Sequence, residues 1–371
     1  MRGILVSALC SLLAASAGGA SSRGSAFEDR SPAAVQAVMR LAADWQLGHP
    51  RHDSRDWTNG VFYAGIMATY HATGEQRYLE AMMRMGKRNR WQLSSRDRHA
   101  DDHAIAQTYL DLFRLEHDEL MYRAFQQAVD RMMESPRVEA KPYRPIDYWW
   151  CDALFMSPPA LAKLAAARGE EKYLDFLDRL WRETYDLLYD RREKLFFRDL
   201  RDVARPPDTE ASRRVKVFWS RGNGWVLAGA ARLLEELPED RSSRRFYLGV
   251  FGEMAQRIAA IQPQDGLWRS SLLEPPSASA GESSGTALFC YALAWGINRG
   301  ILDDVGFLPV VQKAWTGLLS NLDEQGRLGW VQRVGRGPAR VRAEDSDNFG
   351  TGAFLLAGSE VLKLRIALKA D

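Results

Sequence analysis

Five times along the chain, an apolar helical run rich in Gly and Ala is followed by a second run rich in charge. GVFYAGIMATYHATG precedes QRYLEAMMRMGKRN, and DDHAIAQTYLDLFRLE precedes LMYRAFQQAVDRMME. CDALFMSPPALAKLAAARG precedes KYLDFLDRLWRETYDLLYD, and RGNGWVLAGAARLLEELP precedes RRFYLGVFGEMAQRIAAI. SSGTALFCYALAWGINRGIL precedes FLPVVQKAWTGLLSNL. Apolar residues recur at three- and four-residue spacing, the period of a helix with one buried face. A lone run remains at the start (PAAVQAVMRLAADWQL) and another at the end (GTGAFLLAGSEVLKLRIAL). These two can pair and make a sixth hairpin.

Self-similar helical hairpins build either a solenoid or a closed toroid. The first helices begin near Gly60, Asp102, Asp152, Gly222, Ser284 and Gly350, a spacing too long and irregular for a solenoid. The pattern therefore predicts an all-α fold, an (α/α)6 barrel of six helical hairpins. A helix that is apolar all round is buried on nearly all sides, so the first helices belong inside and the second outside. QDGLWRSSL and QGRLGWVQRV predict small β-hairpins at loop tips. The polar, proline-bearing stretches 200–215 and 270–283 predict long loops, and residues 27–371 read as a single barrel domain.

MRGILVSALCSLLAASAGGASS reads as a secretory signal peptide over residues 1–20, cleaved near Ala17 or Ala20. This predicts a periplasmic or secreted protein with no membrane span after cleavage. Cys151 and Cys290 then remain, both inside helical runs, and are expected as buried free thiols. The formal net charge of +2 gives no reason to expect nucleic acid. No HExxH, P-loop or dinucleotide fingerprint occurs, and cysteine spacing gives no metal site, so no cofactor is expected. Nothing in the pattern sets the oligomeric state.

In such a barrel the starts of the inner helices gather at one mouth. Their free N–H groups and positive dipole ends favour an anionic ligand there. WSRGNGW, residues 219–225, opens one inner helix with two glycines, although glycine costs about 1 kcal/mol inside a helix. Either the backbone approaches a ligand here, or the glycines pack tightly on a neighbouring helix. Arg221 and Trp225 lie four apart and offer a cation and a ring to an acidic sugar. The twelve Trp fit a carbohydrate site equally well as a core of large rings.

All six His lie at or before His117, so carboxylates are the better candidates for chemistry. Asp101 and Asp102 open the second inner helix beside His103, and Asp152 opens the third beside Trp149 and Trp150. An Asp at a helix start is usually a cap. Two such positions on adjacent inner helices, wrapped in aromatic residues, point instead to acid–base work, because a hydrophobic wall and a nearby carboxylate both raise a carboxyl pKa.

WWCDALFMSPPALAKLA, WSRGNGWVLAGAARLLEELP, SSGTALFCYALAWGINRGIL and NFGTGAFLLAGSE resemble the unsaturated rhamnogalacturonyl hydrolases of glycoside hydrolase family 105, relatives of the unsaturated glucuronyl hydrolases of family 88. The likeness runs in order from about residue 55 to about residue 365. It implies an (α/α)6 barrel that removes a 4,5-unsaturated uronic acid from the non-reducing end of lyase-generated oligosaccharides by hydrating the C4=C5 bond. It also implies Asp152 as the catalytic acid and base, with Asp102 as the second carboxylate in preference to Asp101. Arg221, Asn223 and Trp225 of the RGNGW element, with His103, Trp149 and Trp219, would line the uronate pocket. The His-Gly-Trp stretch of rhamnogalacturonyl members is replaced here by LFFRDLRD, residues 195–202, where Arg198 either meets substrate or pairs with Asp199. This leaves the aglycone sugar open. Two other readings stand beside this one: an inverting glycosidase with Asp102 and Asp152 roughly 6.5–9.5 Å apart, and a sugar-binding protein without catalysis.

Overall fold

The computed structural model describes residues 31–135, 141–203 and 216–370. The expected signal peptide and most of the stretch 200–215, expected as a loop, lie outside them. Fifteen α-helices are named here in chain order: α1 (Pro32–Gly48), α2 (Trp57–Thr73), α3 (Gln76–Arg88), α4 (Ala100–His103), α5 (Ala106–Glu116), α6 (Leu120–Glu134), α7 (Ala153–Met156), α8 (Pro158–Arg168), α9 (Lys172–Leu188), α10 (Leu200–Val203), α11 (Ser220–Glu236), α12 (Arg244–Ala260), α13 (Ser283–Asn298), α14 (Asp304–Ser320) and α15 (Asn348–Ala370).

The inner ring runs α2, α5, α8, α11, α13 and α15, each packed on the next, and α15 returns to α2. The first helix, α1, packs on α15 as the sixth outer helix, beside α3, α6, α9, α12 and α14. Helix α13 is buried from Ser283 to Gly296, whereas α9 buries one stripe that includes Tyr173, Leu177, Leu180, Trp181 and Thr184. Cys151 and Cys290 are buried free thiols, as expected.

Three expectations are corrected. The run DDHAIAQTYLDLFRLE is interrupted at Ala104 and Ile105, between α4 and α5. The run CDALFMSPPALAKLAAARG is not one helix. It breaks at Ser157, because Pro158 and Pro159 carry no N–H to continue the ladder of α7. The hairpins expected at QDGLWRSSL and QGRLGWVQRV are also absent. Those stretches make isolated bridges, Trp219 with Ser271, Arg269 with Gly281 and Leu322 with Leu328. The described hairpin is β1 (Tyr189–Asp190) with β2 (Leu195–Phe196), at the end of α9, where the sequence reads as helix.

The ends of the inner helices opposite their starts hold a buried charge cluster. Lys163 of α8, 5% exposed, forms an ion pair with Asp111 of α5 and lies 3.7 Å from Glu236 of α11. Burial pushes the Asp111 carboxyl up, but Lys163 and Arg232 more than offset this and hold it below the ordinary carboxylate range. That stabilisation is present above the unfolded carboxylate range and is lost as pH falls through the depressed value. Removing one partner of a buried pair leaves an uncompensated charge. Lys163→Met should therefore destabilise the fold by about 3–5 kcal/mol at neutral pH. The deficit should narrow toward acid pH, where Asp111 takes up a proton. Melting temperatures of both proteins across pH check this, and a pH-independent deficit would remove the ion pair as its cause.

Candidate active site

Asp152 sits just ahead of α7, yet its carboxylate caps no N–H of that helix. It is 8% exposed, with the Arg198 Nε 3.7 Å away and the Cys151 thiol donating at 3.5 Å. Burial raises its pKa, while Arg198 and Arg221 pull it down. Arg198 comes from the chain after β2, fixed there because its carbonyl accepts from the Cys151 N–H at 2.9 Å. Its Nη1 donates to Asp199 at 2.6 Å, and its Nε lacks a hydrogen-bond partner. Of the two sequence expectations for Arg198, the structure shows the pair with Asp199, and it also sets the Arg198 guanidinium beside Asp152.

Asp101 and Asp102 separate by direction. Asp102 is clamped by Arg96, whose backbone N–H donates at 2.8 Å and whose guanidinium grips both carboxylate oxygens. Asp101 instead lies within electrostatic reach of Asp152. Burial first, then the Asp152 charge, push its carboxyl up to about 7. His99 Nδ1 is 3.5 Å from the Asp101 carboxylate, and its ring lies 4.5 Å from that of Trp150. Burial and the Arg96 charge hold His99 down at about 4, so it is a neutral imidazole at neutral pH.

WSRGNGW forms the start of α11. Its glycines are packing positions. A methyl on Gly222 would sit 3.1 Å from Cys151 Sγ, and one on Gly224 would sit 2.9 Å from Leu288 Cβ. Arg221 is 1% exposed and lies between the rings of Trp219 and Phe349, 4.6 Å from each. It donates to the carbonyls of Gln332 and Arg333, and its Nε is without a partner. Among the described residues no carboxylate pairs with it directly. Burial lowers its pKa, and Glu282, Asp152 and Asp347 act against that. Glu282 is itself fully buried and accepts from the N–H groups of Ser284, Gly285 and Gln332. Arg221 and Glu282 therefore hold the segment around Gln332 against the starts of α11 and α13.

The remaining expected contacts divide. Trp149 is half-buried, with the Arg198 guanidinium 5.3 Å and that of Arg201 5.8 Å from its ring. Trp225 is fully buried among Trp57, Phe155 and Phe349, so it has no face to offer a sugar. Trp219 is 2% exposed, its face is covered by Arg221, and its Nε1 donates to Gln332. Asn223 ties β2 to α11: its Oδ1 accepts from Phe196 N–H at 2.8 Å and its Nδ2 donates to the Phe196 carbonyl at 2.9 Å. His103 is fully buried, bonded to Ser157 Oγ and to the Asp97 carbonyl. Trp225, Trp219, Asn223 and His103 are thus structural in this arrangement. Sequence reading missed His99, Arg96 and the half-buried Trp57, which stacks on Phe349 at the start of α2. His99 stood two residues before the acidic pair, and nothing in helical periodicity showed which way it faced.

The sequence matches the family model Glycosyl Hydrolase Family 88 over residues 31–365. It is 42% identical to an unsaturated 3S-rhamnoglycuronyl hydrolase of Formosa agariphila, over 89% of this chain and 91% of that protein. A family 88 glycosyl hydrolase from Bacteroides vulgatus superposes with a TM-score of 0.82 at 30% identity, covering 90% of this chain and 99% of that one. A structure described as a polysaccharide lyase gives a TM-score of 0.82 at 32% identity, covering 92% and 99%. With the family model spanning nearly the whole described barrel, the chain belongs to glycosyl hydrolase family 88.

Proposed function

We propose that this protein removes a 4,5-unsaturated uronic acid from the non-reducing end of an oligosaccharide, with Asp152 and Asp101 as the working carboxylates. The observation that carries this reading is the pairing of two protonatable carboxyls, neither used as a helix cap, with a buried arginine that has no carboxylate of its own. A buried like-charged pair holds its last proton to higher pH than an exposed carboxyl would, and that proton belongs to the pair. It passes to C4 of the sugar while the C4=C5 π electrons form the new C–H bond. Water then adds at C5 and returns a proton to Asp152. The resulting hemiketal opens, and the open chain releases the aglycone. Arg221, with its free Nε, faces the uronate carboxylate. Trp57 offers a half-buried ring, and Trp149, also half-buried, lies under the Arg144 guanidinium.

Asp101 replaces Asp102 in this scheme because Arg96 already occupies the Asp102 carboxylate. The same clamp argues against an inverting site built on Asp102. The aglycone we propose is a sulfated rhamnose. This rests on the name of the 42% identical Formosa protein and on Arg198 and Arg201 beside Trp149. We further propose that the N-terminal segment is a signal peptide that exports the enzyme, and mass analysis of the exported protein tests the cleavage near Ala17 or Ala20.

Hydration destroys the ultraviolet absorbance of the conjugated double bond, whereas lyase action creates it. The wild type should bleach a lyase digest of a sulfated rhamnoglucuronan. A rise in absorbance on the intact polymer would overturn the hydrolase reading, and no change on either would leave a binding protein.

Asp152→Asn keeps the shape but can neither donate nor accept the proton. Bleaching should fall by roughly 10²- to 10⁴-fold with the melting temperature preserved. Activity within a few-fold of wild type would take Asp152 out of the mechanism.

The pH profile separates the two neighbours. The pair loses its last proton near the Asp101 value of about 7, so activity should decline as pH rises through it. Asp101→Asn removes the like charge that holds this proton, so the alkaline limb should move to lower pH and the rate should drop. Asp102→Asn should leave the limb in place and lower thermal stability, because Arg96 loses its partner. The opposite pattern would return the catalytic role to Asp102.

Arg221 carries two duties, and kinetics can part them. A hydrogen bond to a charged group is worth roughly 1.5–3 kcal/mol. On that scale Arg221→Met should lower kcat/KM by about one to two orders of magnitude, measured well below its melting temperature. The melting temperature should also fall, since two carbonyls lose their donor. A destabilised protein with unchanged kcat/KM would assign Arg221 to packing alone.

A further inference from the structure

Next to the mouth, a cleft of about 470 Å³ opens between the chain at Ser95–His99 and the chain at Lys141–Trp150. It shares His99, Trp149 and Trp150 with the site described above. Its charges are unevenly satisfied. Arg96 is spent on Asp102, Arg98 pairs with Asp147 at 3.2 Å, and Asp97 pairs with Arg131 at 2.6 Å. Lys141 and Arg144 form no ion pair among the described residues, and both are exposed. Arg144 does not float free: its guanidinium lies 4.4 Å over the ring of Trp149.

The backbone between these two cations is unusual. Lys141 and Arg144 close a tight turn, with Arg144 N–H donating to the Lys141 carbonyl at 2.8 Å and the reverse bond at 3.3 Å. Pro142 fixes the first central position. Tyr143, the second, has φ 62°, a conformation that favours glycine. A bulky residue is strained there, and such strain concentrates at binding and catalytic sites. The Tyr143 side chain is also 50% exposed, and it lies within electrostatic reach of Arg201, whose guanidinium is 5.8 Å from the Trp149 ring. An aromatic ring in solvent on a strained turn, flanked by two cations with no ion pair among the described residues, has no packing role there.

We propose that this cleft is a subsite for the reducing-side portion of the oligosaccharide, beyond the sugar released with the scissile bond, and that it takes an anionic sugar residue. Tyr143 does not line the cleft; exposed on the turn between Lys141 and Arg144, which do, it provides a stacking platform beside it. Lys141 and Arg144 meet the anionic group, a sulfate ester or a uronate carboxylate. Arg144 is preset for this by stacking on Trp149, so little of its freedom is lost on binding. The subsite rests on the hydrolase reading for its place in the reaction, and it makes the enzyme sensitive to substrate length.

The test compares the unsaturated disaccharide and tetrasaccharide from a lyase digest of sulfated rhamnoglucuronan, each also after chemical desulfation. Wild type should prefer the tetrasaccharide in kcat/KM. Tyr143→Gly and Arg144→Ala should each reduce that preference about tenfold, the scale of one aromatic or cation contact. Tyr143→Gly should at the same time raise the melting temperature, because the strained φ is relieved. Desulfation that erases the preference identifies the sulfate as the recognised group, and a preference that survives it identifies the uronate. An equal loss on both substrate lengths, or no wild-type preference for length, would overturn the proposal. Should the wild type bleach neither substrate, the hydrolase reading fails by itself. Calorimetric titration of Asp152→Asn with the tetrasaccharide then decides the cleft: binding weakened by Arg144→Ala supports it, and binding unaffected by that change rejects it.

Discussion

Closing a ring of six helical hairpins requires the last inner helix to meet the first with no gap. At that seam the backbones of α2 and α15 come into contact through glycine. A methyl added to Gly65 would lie 2.6 Å from the Gly352 carbonyl oxygen, and one on Gly352 would lie 2.6 Å from that of Val61. No side chain larger than hydrogen fits either position without moving a helix. Gly229 of α11 repeats the device against α7, where an added methyl would lie 2.4 Å from the Leu154 carbonyl. The glycine lost from helix propensity is offset by close packing of whole helices. Once the ring is shut, all six inner helices start at one end. That geometry, more than any single residue, creates the mouth.

A mouth of helix starts is electropositive, and its chemistry depends on which carboxylates the field reaches. Glu282 accepts backbone N–H groups directly and serves as an anion of the scaffold. Asp102 is neutralised by Arg96 and is equally committed. Asp152 is governed by burial, which raises its carboxyl, against Arg198 and Arg221, while Asp101 is raised by burial and by the Asp152 charge. The positive counterweight is divided the same way. Arg96 and Arg198 have carboxylate partners, while Arg221 is buried against aromatic rings and carbonyl dipoles. Removing a guanidinium from water without a carboxylate beside it is costly. A bound uronate would supply the missing charge.

The helical hairpins, their order and their inner–outer assignment were legible because burial on all sides and burial on one side leave different periodicities. The carboxylate positions were partly legible: Asp152 lies just ahead of α7 and the Asp101–Asp102 pair within α4, the short helices that lead into the inner helices α8 and α5. What periodicity could not resolve was rotation at the first turn. Asp101 and Asp102 differ by about 100° around a helix axis, and only the position of Arg96 decides which faces Asp152. The same limit explains Trp225, expected as a ligand from its spacing to Arg221, and Asn223, expected from the family resemblance, which turn inward to Phe155 and Phe196. Nor could sequence show that Tyr143 adopts a left-handed turn, because a Lys-Pro-Tyr-Arg stretch reads as an ordinary loop.

The break in the third inner helix bears directly on the chemistry. An Asp that capped a full helix would accept its first N–H groups, and hydrogen bonds to the charged form hold a carboxyl ionised. Asp152 precedes only four helical residues before Ser157 and the two prolines interrupt the ladder, and its carboxylate accepts none of their N–H groups. Ser157 bonds to His103 and Tyr148 instead, so the break is filled by side chains that anchor α4 to α7. The prolines thereby set the third inner helix apart from the first, where the Asp56 carboxylate caps Thr58, and from the fifth, where that of Glu282 caps Ser284 and Gly285. Those two carboxylates are spent on structure. Asp152, relieved of that duty and buried, has its carboxyl pKa raised, as the proposed role in proton transfer needs.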